Sequence, residues 1–378
     1  MAQSTGIKER PTEPIRILCV FSLLDRGGAE TMCMNLYRRI DRSQVQFDFV
    51  KHTEVIGEYE EEIRALGGRI FLAPQYTIIN HMAYCHWWKH HFQAHPEHRI
   101  IHGHYYTLSA IYFRIAKQYG RYTVAHSHST SVNSRFPLKY AAKYLIPRSR
   151  KYADTFLACS EAAGKWMFSD HPFTVVHNAV DSASFRIDLA ERSAVRKEFG
   201  IHHYELVVGI IGRLVAIKNP FEAVQIFKEI RKRQANSRLL WVGEGGLRPE
   251  IEKKLAEENV SDAAILTGSR EDVPRLLQAM DALILPSFRE GLGVVAIEGQ
   301  AAGLRCFISD TVPQEVNVTG RCTFLPLGMP QLWADAILSA DLTKADTQQQ
   351  IVEAGYDIQA VCEWLQNFYL TESKKLKS

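Results

Sequence analysis

Arg213 and Lys218 stand five residues apart in Gly212-Arg213-Leu214-Val215-Ala216-Ile217-Lys218-Asn219-Pro220, directly after the apolar run Leu206–Ile211. Arginine offers a planar fork of donors and lysine a compact point charge, a pair suited to a diphosphate that gains charge as it leaves. Glu290 and Glu298 stand eight apart in Pro286-Ser287-Phe288-Arg289-Glu290-Gly291-Leu292-Gly293-Val294-Val295-Ala296-Ile297-Glu298, again just after an apolar run. A helix beginning near Gly293 puts Glu290 in the loop at its positive end and Glu298 in its second turn. One carboxylate can then bind hydroxyls of a sugar, and the other can accept both hydroxyls of a ribose. The backbone N–H groups of Gly293, Val294 and Val295 lie between them, aimed at phosphate. Plainer readings fit the same residues: Arg and Lys after a strand are commonly solvated surface, and Ser287-x-x-Glu290 matches a capping box.

Gly27 and Gly28 follow the first apolar run and open a helix at Ala29, where exposed N–H groups suit a phosphate. The turn lacks the full G-x-G-x-x-G pattern, so it also reads as backbone freedom alone. Ten of the fifteen histidines fall between His81 and His128, including His102-Gly103-His104 and His126-Ser127-His128. Four imidazoles suffice for zinc, but such clustering produces chance pairs and no D-x-D carboxylate pair occurs. The expectation is no metal and no other cofactor. A departing diphosphate must then be met by Arg213, Lys218 and a helix N-terminus.

The elements that must position these groups are strands alternating with helical segments. Short β-rich runs occur at Ile15–Phe21, Phe47–Val50, Arg69–Leu72, Arg99–His102, Tyr122–Ala125, Thr155–Ala158 and Thr174–Val176. A second series follows at Leu206–Ile211, Arg238–Val242, Ala264–Thr267, Ala282–Leu285, Arg305–Ile308 and Thr323–Leu325. Each series implies a parallel, doubly wound sheet, with ligands held beyond the carboxyl ends of its strands. The polar stretch Asp181–Tyr204, with a mixed-charge helix at Ala190–Phe199, divides the two.

The chain of 378 residues carries a net charge of +3, unevenly spread. Residues 1–180 hold 22 basic and 15 acidic side chains, leaving 23 and 27 for the remainder. Between Lys89 and Lys151 eleven Lys or Arg accompany a single acid, Glu97. An anionic partner or a solvated basic face both account for this. Within it, Arg135, Lys139, Lys143, Arg148 and Arg150 flank Phe136, Leu138, Tyr140, Tyr144, Leu145 and Ile146. Such a helix presents cations and apolar surface to an anionic membrane, unless its apolar side is simply core. No apolar run approaches the roughly 20 residues that span a bilayer, the N-terminal residues lack a secretory pattern, and seven scattered cysteines suggest reduced fillers of apolar positions. These features lead to an expected cytoplasmic location.

Together the motifs resemble the retaining glycosyltransferases of the GT-B fold, specifically family 4, the group with the E-x7-E motif. Val242-Gly243-Glu244-Gly245, Gly268-Ser269-Arg270-Glu271-Asp272-Val273-Pro274 and Gln300-Ala301-Ala302-Gly303-Leu304 follow that family's order in the second half. Arg26-Gly27-Gly28-Ala29-Glu30, Ala125-His126-Ser127-His128, Ala158-Cys159-Ser160-Glu161 and Asn178-Ala179-Val180-Asp181 look like its weaker signatures in the first. Gly299 and Arg305 depart from the family's usual Ala and Pro, without removing a charged group from the proposed site.

The resemblance implies an α/β protein of two Rossmann-like doubly wound parallel-sheet domains facing a central cleft. Its parts would be an N-terminal segment 1–14 without order, an acceptor-side domain 15–181, a linker 182–204, a nucleotide-sugar domain 205–356 and a C-terminal helix 357–378 crossing back to the first domain. It also implies roles. Arg213 and Lys218 would bind the donor diphosphate, Glu290 the donor sugar and Glu298 the ribose. The loop around Arg270 and Val273 would line the base, with Gly212 and Gly243 beside the donor. His126 would lie under the donor sugar and the Gly27-Gly28 turn near the diphosphate. The implied reaction moves a hexosyl unit from a nucleotide-sugar donor, a UDP-sugar, to a glycan or a lipid-diphosphate-linked sugar acceptor with retention. It would serve bacterial exopolysaccharide or capsule synthesis, peripherally on the anionic inner face of the plasma membrane and with no nucleic acid. Two alternatives stand: a GT-B nucleotide-sugar epimerase or hydrolase, and a silent sugar-nucleotide-binding subunit, against which the survival of all four charged positions speaks.

Overall fold

The computed structural model describes residues 13–25, 27–128 and 145–376. The chain forms two units, Met1–Ala179 with Ile358–Ser378, and Val180–Asp357. The first holds strands β1 (Ile15–Val20), β2 (Val45–Lys51), β3 (Ile70–Leu72), β4 (His98–Gly103), β5 (Tyr122–Ser127), β6 (Thr155–Ala158) and β7 (Thr174–Val175). They pair in the order β3-β2-β1-β4-β5-β6-β7. The second holds β8 (Leu206–Ile211), β9 (Ser237–Val242), β10 (Ala264–Gly268), β11 (Ala282–Leu285), β12 (Arg305–Ser309) and β13 (Cys322–Leu325). Their order is β10-β9-β8-β11-β12-β13. Every pairing between these strands is parallel.

Parallel sheets need both faces covered, and the strand residues divide accordingly. Ile17 and Cys19 of β1 enter one cluster of the first unit, while Leu18 and Val20 enter another. In β11, Leu283 and Leu285 join one cluster of the second unit, and Ala282 and Ile284 the other. The helix Ile358–Lys375 completes the first unit's core through Ile358, Cys362, Leu365 and Tyr369. Residues 182–204, read as a linker from their polarity, fold within the second unit. Phe185, Val195 and Ile201 enter its core, and Arg192 and Arg196 both pair with Asp281.

Candidate active site

In both sheets the strand order reverses at the first strand of the unit, between β1 and β4 and between β8 and β11. Loops diverge there in opposite directions and leave a crevice beyond the carboxyl ends. The segments leaving β8 and β11 carry both charged pairs singled out from the sequence, Glu298 on the helix that follows the second loop. They are tied together where the Phe288 N–H donates to the Ile217 carbonyl at 2.9 Å.

Lys218 and Glu290 meet directly, with Lys218 Nζ donating to both carboxylate oxygens at 2.7 and 2.9 Å. Ser287 Oγ donates to Glu290 Oε1 at 2.5 Å. The serine therefore serves the glutamate and does not cap the helix. That helix, Val294–Ala301, starts after Gly293, whose φ of +85° suits glycine, and no side chain caps it. Its first-turn N–H groups, on Val294 and Val295, are the kind that take an anion. Glu298 lies in its second turn, partly buried, with no hydrogen-bond or ion-pair partner among the described residues. Burial pushes its carboxyl up to about 7. Arg213 is exposed and likewise has no side-chain partner among the described residues.

The backbone beneath Arg213 is fixed by the loop after β9. Gly212 N–H donates to the Val242 carbonyl at 2.9 Å and Leu214 N–H to that of Glu244 at 3.1 Å. Gly243, at φ +146°, lies so close that a Cβ there would be 2.1 Å from Gly212 O. Gly243→Ala should accordingly lower unfolding free energy by at least about 2 kcal/mol in chemical denaturation, since strained backbone and a clash act together. An unchanged midpoint would mean this approach does not hold the loop.

Gly243 N–H also donates to the Gly268 carbonyl at 2.9 Å, which brings in the loop carrying Arg270. The Arg270 guanidinium is committed internally. It makes two 2.8 Å bonds to Asp272, reaches Glu198 at 3.4 Å, and lies 5.9 Å over the Phe199 ring. Val273 opens the helix Val273–Ala279.

In the first unit, Gly27 precedes the helix Gly28–Arg39. A Cβ at Gly27 would meet Glu30 Oε2 at 2.2 Å, so the Glu30 carboxylate folds back over the turn. A phosphate there requires Glu30 to swing aside. His126 is 1 % exposed. Its Nδ1 lies 3.0 Å from His102 Nε2, and its own Nε2 has no partner. Among the described residues, the groupings of three His, Cys or acidic side chains close enough to share a metal all fall in the first unit, and none contains Glu290 or Glu298.

Of the cations expected to face a membrane, Arg135, Lys139 and Lys143 lie outside the described residues. Arg148 is exposed, while Arg150 Nε donates to the Met167 carbonyl at 2.9 Å. Ile146 is buried in the first unit's core and Leu145 packs against it, which is the core alternative for these two. The sequence patterns gave no hint of Ile78, Ile79 and Met82, apolar side chains left 62, 99 and 78 % exposed.

Residues 26–184 match the family model Glycosyltransferase Family 4, and residues 205–340 match Glycosyl transferases group 1. The chain is 31 % identical over 374 residues to EpsF of Bacillus subtilis (strain 168), which bears the name of a glycosyltransferase; the match covers 95 % of this chain and 97 % of EpsF. The chain belongs to glycosyltransferase family 4. A shorter likeness, 29 % over 140 residues and 36 % of each chain, is to an Escherichia coli UDP-Gal:alpha-D-GlcNAc-diphosphoundecaprenol alpha-1,3-galactosyltransferase. Among solved structures, HepE of Anabaena in complex with UDP superposes with a TM-score of 0.71 over 96 % of this chain and 99 % of HepE, at 16 % identity. Two Rossmann-like parallel-sheet domains, of seven and six strands, are the GT-B architecture shared with such neighbours. In this family 4 member the charged loops of the second unit stand at the switch point of its sheet, where that architecture holds ligands.

Proposed function

We propose that this family 4 glycosyltransferase moves a hexosyl unit from a UDP-sugar to a glycan or lipid-diphosphate-linked sugar, with retention, in bacterial surface polysaccharide synthesis. The observation that carries this reading is the set of groups around the β8/β11 switch point: an unpaired arginine, a lysine–glutamate pair, an uncapped helix N-terminus and an unpaired carboxyl. The first and third suit a diphosphate. Lys218 spends two of its three N–H donors on Glu290 and keeps the third for a phosphate oxygen. As the anomeric bond breaks, Arg213, Lys218 and the Val294 and Val295 N–H groups stabilise the charge gained by the leaving diphosphate. The acceptor hydroxyl attacks from the same face and gives its proton to a phosphate oxygen. Glu290, oriented by Lys218 and Ser287, takes hydroxyls of the donor sugar, and Glu298 those of the ribose. His126 is proposed to neighbour the donor sugar. Turnover should be unchanged when Mg²⁺ and Mn²⁺ are omitted, because no metal is assigned to the diphosphate.

The relatives named above support the donor and acceptor classes, since one is named for a UDP-sugar and a diphosphoundecaprenol acceptor and another was crystallised with UDP. A panel of nucleotide sugars, read by thermal stabilisation and then by transfer to polyprenyl-diphosphate-linked sugars, tests the reading. Transfer that preserves the anomeric configuration is expected. Donor consumption at equal rate without acceptor would make the protein an epimerase or hydrolase.

No helix among the described residues is long and apolar enough to cross a membrane. Docking at the inner face of the plasma membrane would therefore be peripheral, with each nearby cation contributing about 1 kcal/mol. In vesicle sedimentation the protein should bind anionic but not neutral vesicles and lose binding in high salt. A Lys139→Ala/Lys143→Ala/Arg148→Ala variant should stay in the supernatant; equal pelleting with both vesicle types would refute the docking.

A further inference from the structure

Three side chains of the first unit form a hydrogen-bonded line that starts on the last helix of the chain. The Tyr369 hydroxyl, on the helix Ile358–Lys375, meets His102 Nδ1 on β4. His102 Nε2 lies 3.0 Å from His126 Nδ1 on β5, with the two rings stacked at an interplanar angle of 12°. His126 Nε2 ends the line, buried and without a partner. That residue stands next to last in β5, at the carboxyl end from which doubly wound sheets reach their ligands. The adjacent His104 and His128 bond to each other instead, through Nδ1 and Nε2 at 2.8 Å.

A neutral imidazole carries one N–H and one lone pair, so a ring bonded through both nitrogens donates at one and accepts at the other. Burial keeps both rings neutral, holding His102 down to about 3 and His126 well below the usual imidazole value. It also pushes the Tyr369 phenol well above its ordinary value, so the O–H is retained. Two proton arrangements then fit the line. If Tyr369 donates, both rings carry their proton on Nε2, and one group is left unmet, the His126 Nε2–H. If Tyr369 accepts, both rings carry the proton on Nδ1. Two groups are then unmet, the His126 Nε2 lone pair and the tyrosine hydrogen, since that hydroxyl has no other partner among the described residues. Unmet buried polar groups oppose folding, so the first arrangement is favoured.

We propose that Tyr369 acts through His102 as a positioning residue that fixes the proton of His126 on Nε2, so that His126 presents a hydrogen-bond donor to an oxygen of the donor sugar. The inference rests on the placement of His126 beside that sugar given above. Which nitrogen of an imidazole is protonated is set by the bond its other nitrogen makes, and here that bond is set in turn by a phenol one residue further back. A ring free to exchange its proton would divide between donor and acceptor forms and hold the sugar oxygen less tightly, in proportion to the competent fraction.

The test uses the full chain labelled with ¹⁵N at the histidine rings, with two-bond ¹H–¹⁵N correlations reporting which nitrogen is protonated. Binding of UDP and of UDP-glucose, UDP-galactose and UDP-N-acetylglucosamine is measured alongside by calorimetry. The parent should carry Nε2–H at both His102 and His126. His102→Gln keeps the direction of the line, its amide oxygen accepting from Tyr369 and its N–H donating to His126. It should leave the His126 tautomer unchanged and the tightest UDP-hexose affinity within about 3-fold. His102→Glu at high pH offers only acceptors, so His126 should carry a proton on Nδ1. The UDP-hexose should then bind about 3- to 10-fold more weakly, the net worth of one hydrogen bond, with UDP unaffected. Nδ1–H at His126 in the parent, or Nε2–H alone in folded His102→Glu, would overturn the control of the proton. A moved proton with unchanged UDP-hexose affinity would instead overturn the placement of His126 beside the sugar. If His102→Glu does not fold, Tyr369→Phe decides: a share of Nδ1–H at His126 supports the role of Tyr369, and its absence overturns it.

Discussion

Replacing Arg213 with alanine should lower turnover by about 10²–10³-fold, the scale of losing one donor to a developing negative charge, while leaving the melting temperature unchanged. The arginine is exposed and pairs with no described side chain, so the fold does not need it. Lys218→Ala should lose turnover to a similar extent but also stability. Glu290, with a side chain only 10 % exposed, would keep Ser287 alone as a partner. Leaving such a carboxylate poorly met costs about 1–3 kcal/mol. Adding Glu290→Gln to Lys218→Ala should therefore recover stability and none of the activity. Near-normal turnover in Arg213→Ala, or rescue of turnover in the double variant, would remove these cations from the diphosphate.

At Glu298, stability and affinity should move in opposite directions. Its carboxyl is raised from 4.5 to about 7 by burial, so the folded protein holds the proton more tightly than the unfolded chain. Below pH 4.5 both states are protonated and the residue costs nothing. Between 4.5 and 7 the penalty grows, and above 7 it is constant. Glu298→Gln should thus match the parent at pH 4 and exceed it at pH 8, by about 1–2 kcal/mol after allowing for solvent screening. Meanwhile Glu298→Ala should weaken nucleotide binding by about 10- to 100-fold, the loss of hydrogen bonds to a charged acceptor. In contrast, Glu290→Ala should act mainly on kcat, since that residue is assigned to the reacting sugar. Unchanged nucleotide affinity by calorimetry in Glu298→Ala would dismiss the ribose role, and a pH-independent stability difference would dismiss the buried-carboxyl account.

All thirteen strands were legible in the sequence because buried parallel strands read as compact apolar runs bounded by turn residues, with Leu206–Ile211 and Ala282–Leu285 matching to the residue. Gly293 marked the helix start through the same local logic. What pattern reading misses is side-chain partnership across loops. The Ser287-x-x-Glu290 spacing was visible, but only the neighbouring Lys218 decides that the serine supports a carboxylate instead of a helix end. The close approach of Gly243 to Gly212 depends on two loops from adjacent strands, which no single stretch encodes. Likewise nothing in the two H-x-H pairs themselves says that adjacent strands set their rings side by side, with His102 and His126 centroids 5.2 Å apart. The segment 182–204 was polar enough to pass for a linker because only a few of its residues carry the packing, with Phe185, Val195 and Ile201 in the core and Phe199 against it.

The first unit takes its last helix from the far end of the chain, residues 358 onward, and Tyr369 from that helix sits at the centre of its core against His102. During synthesis, every residue of the second unit leaves the ribosome before the first can be completed. The nascent first unit must wait with an open apolar face where Cys362, Leu365 and Tyr369 belong, a natural client for a chaperone until the helix Ile358–Lys375 has emerged. For the same reason a fragment cut at residue 179 is an incomplete object, and a chimera that exchanges the first unit must carry both of its pieces.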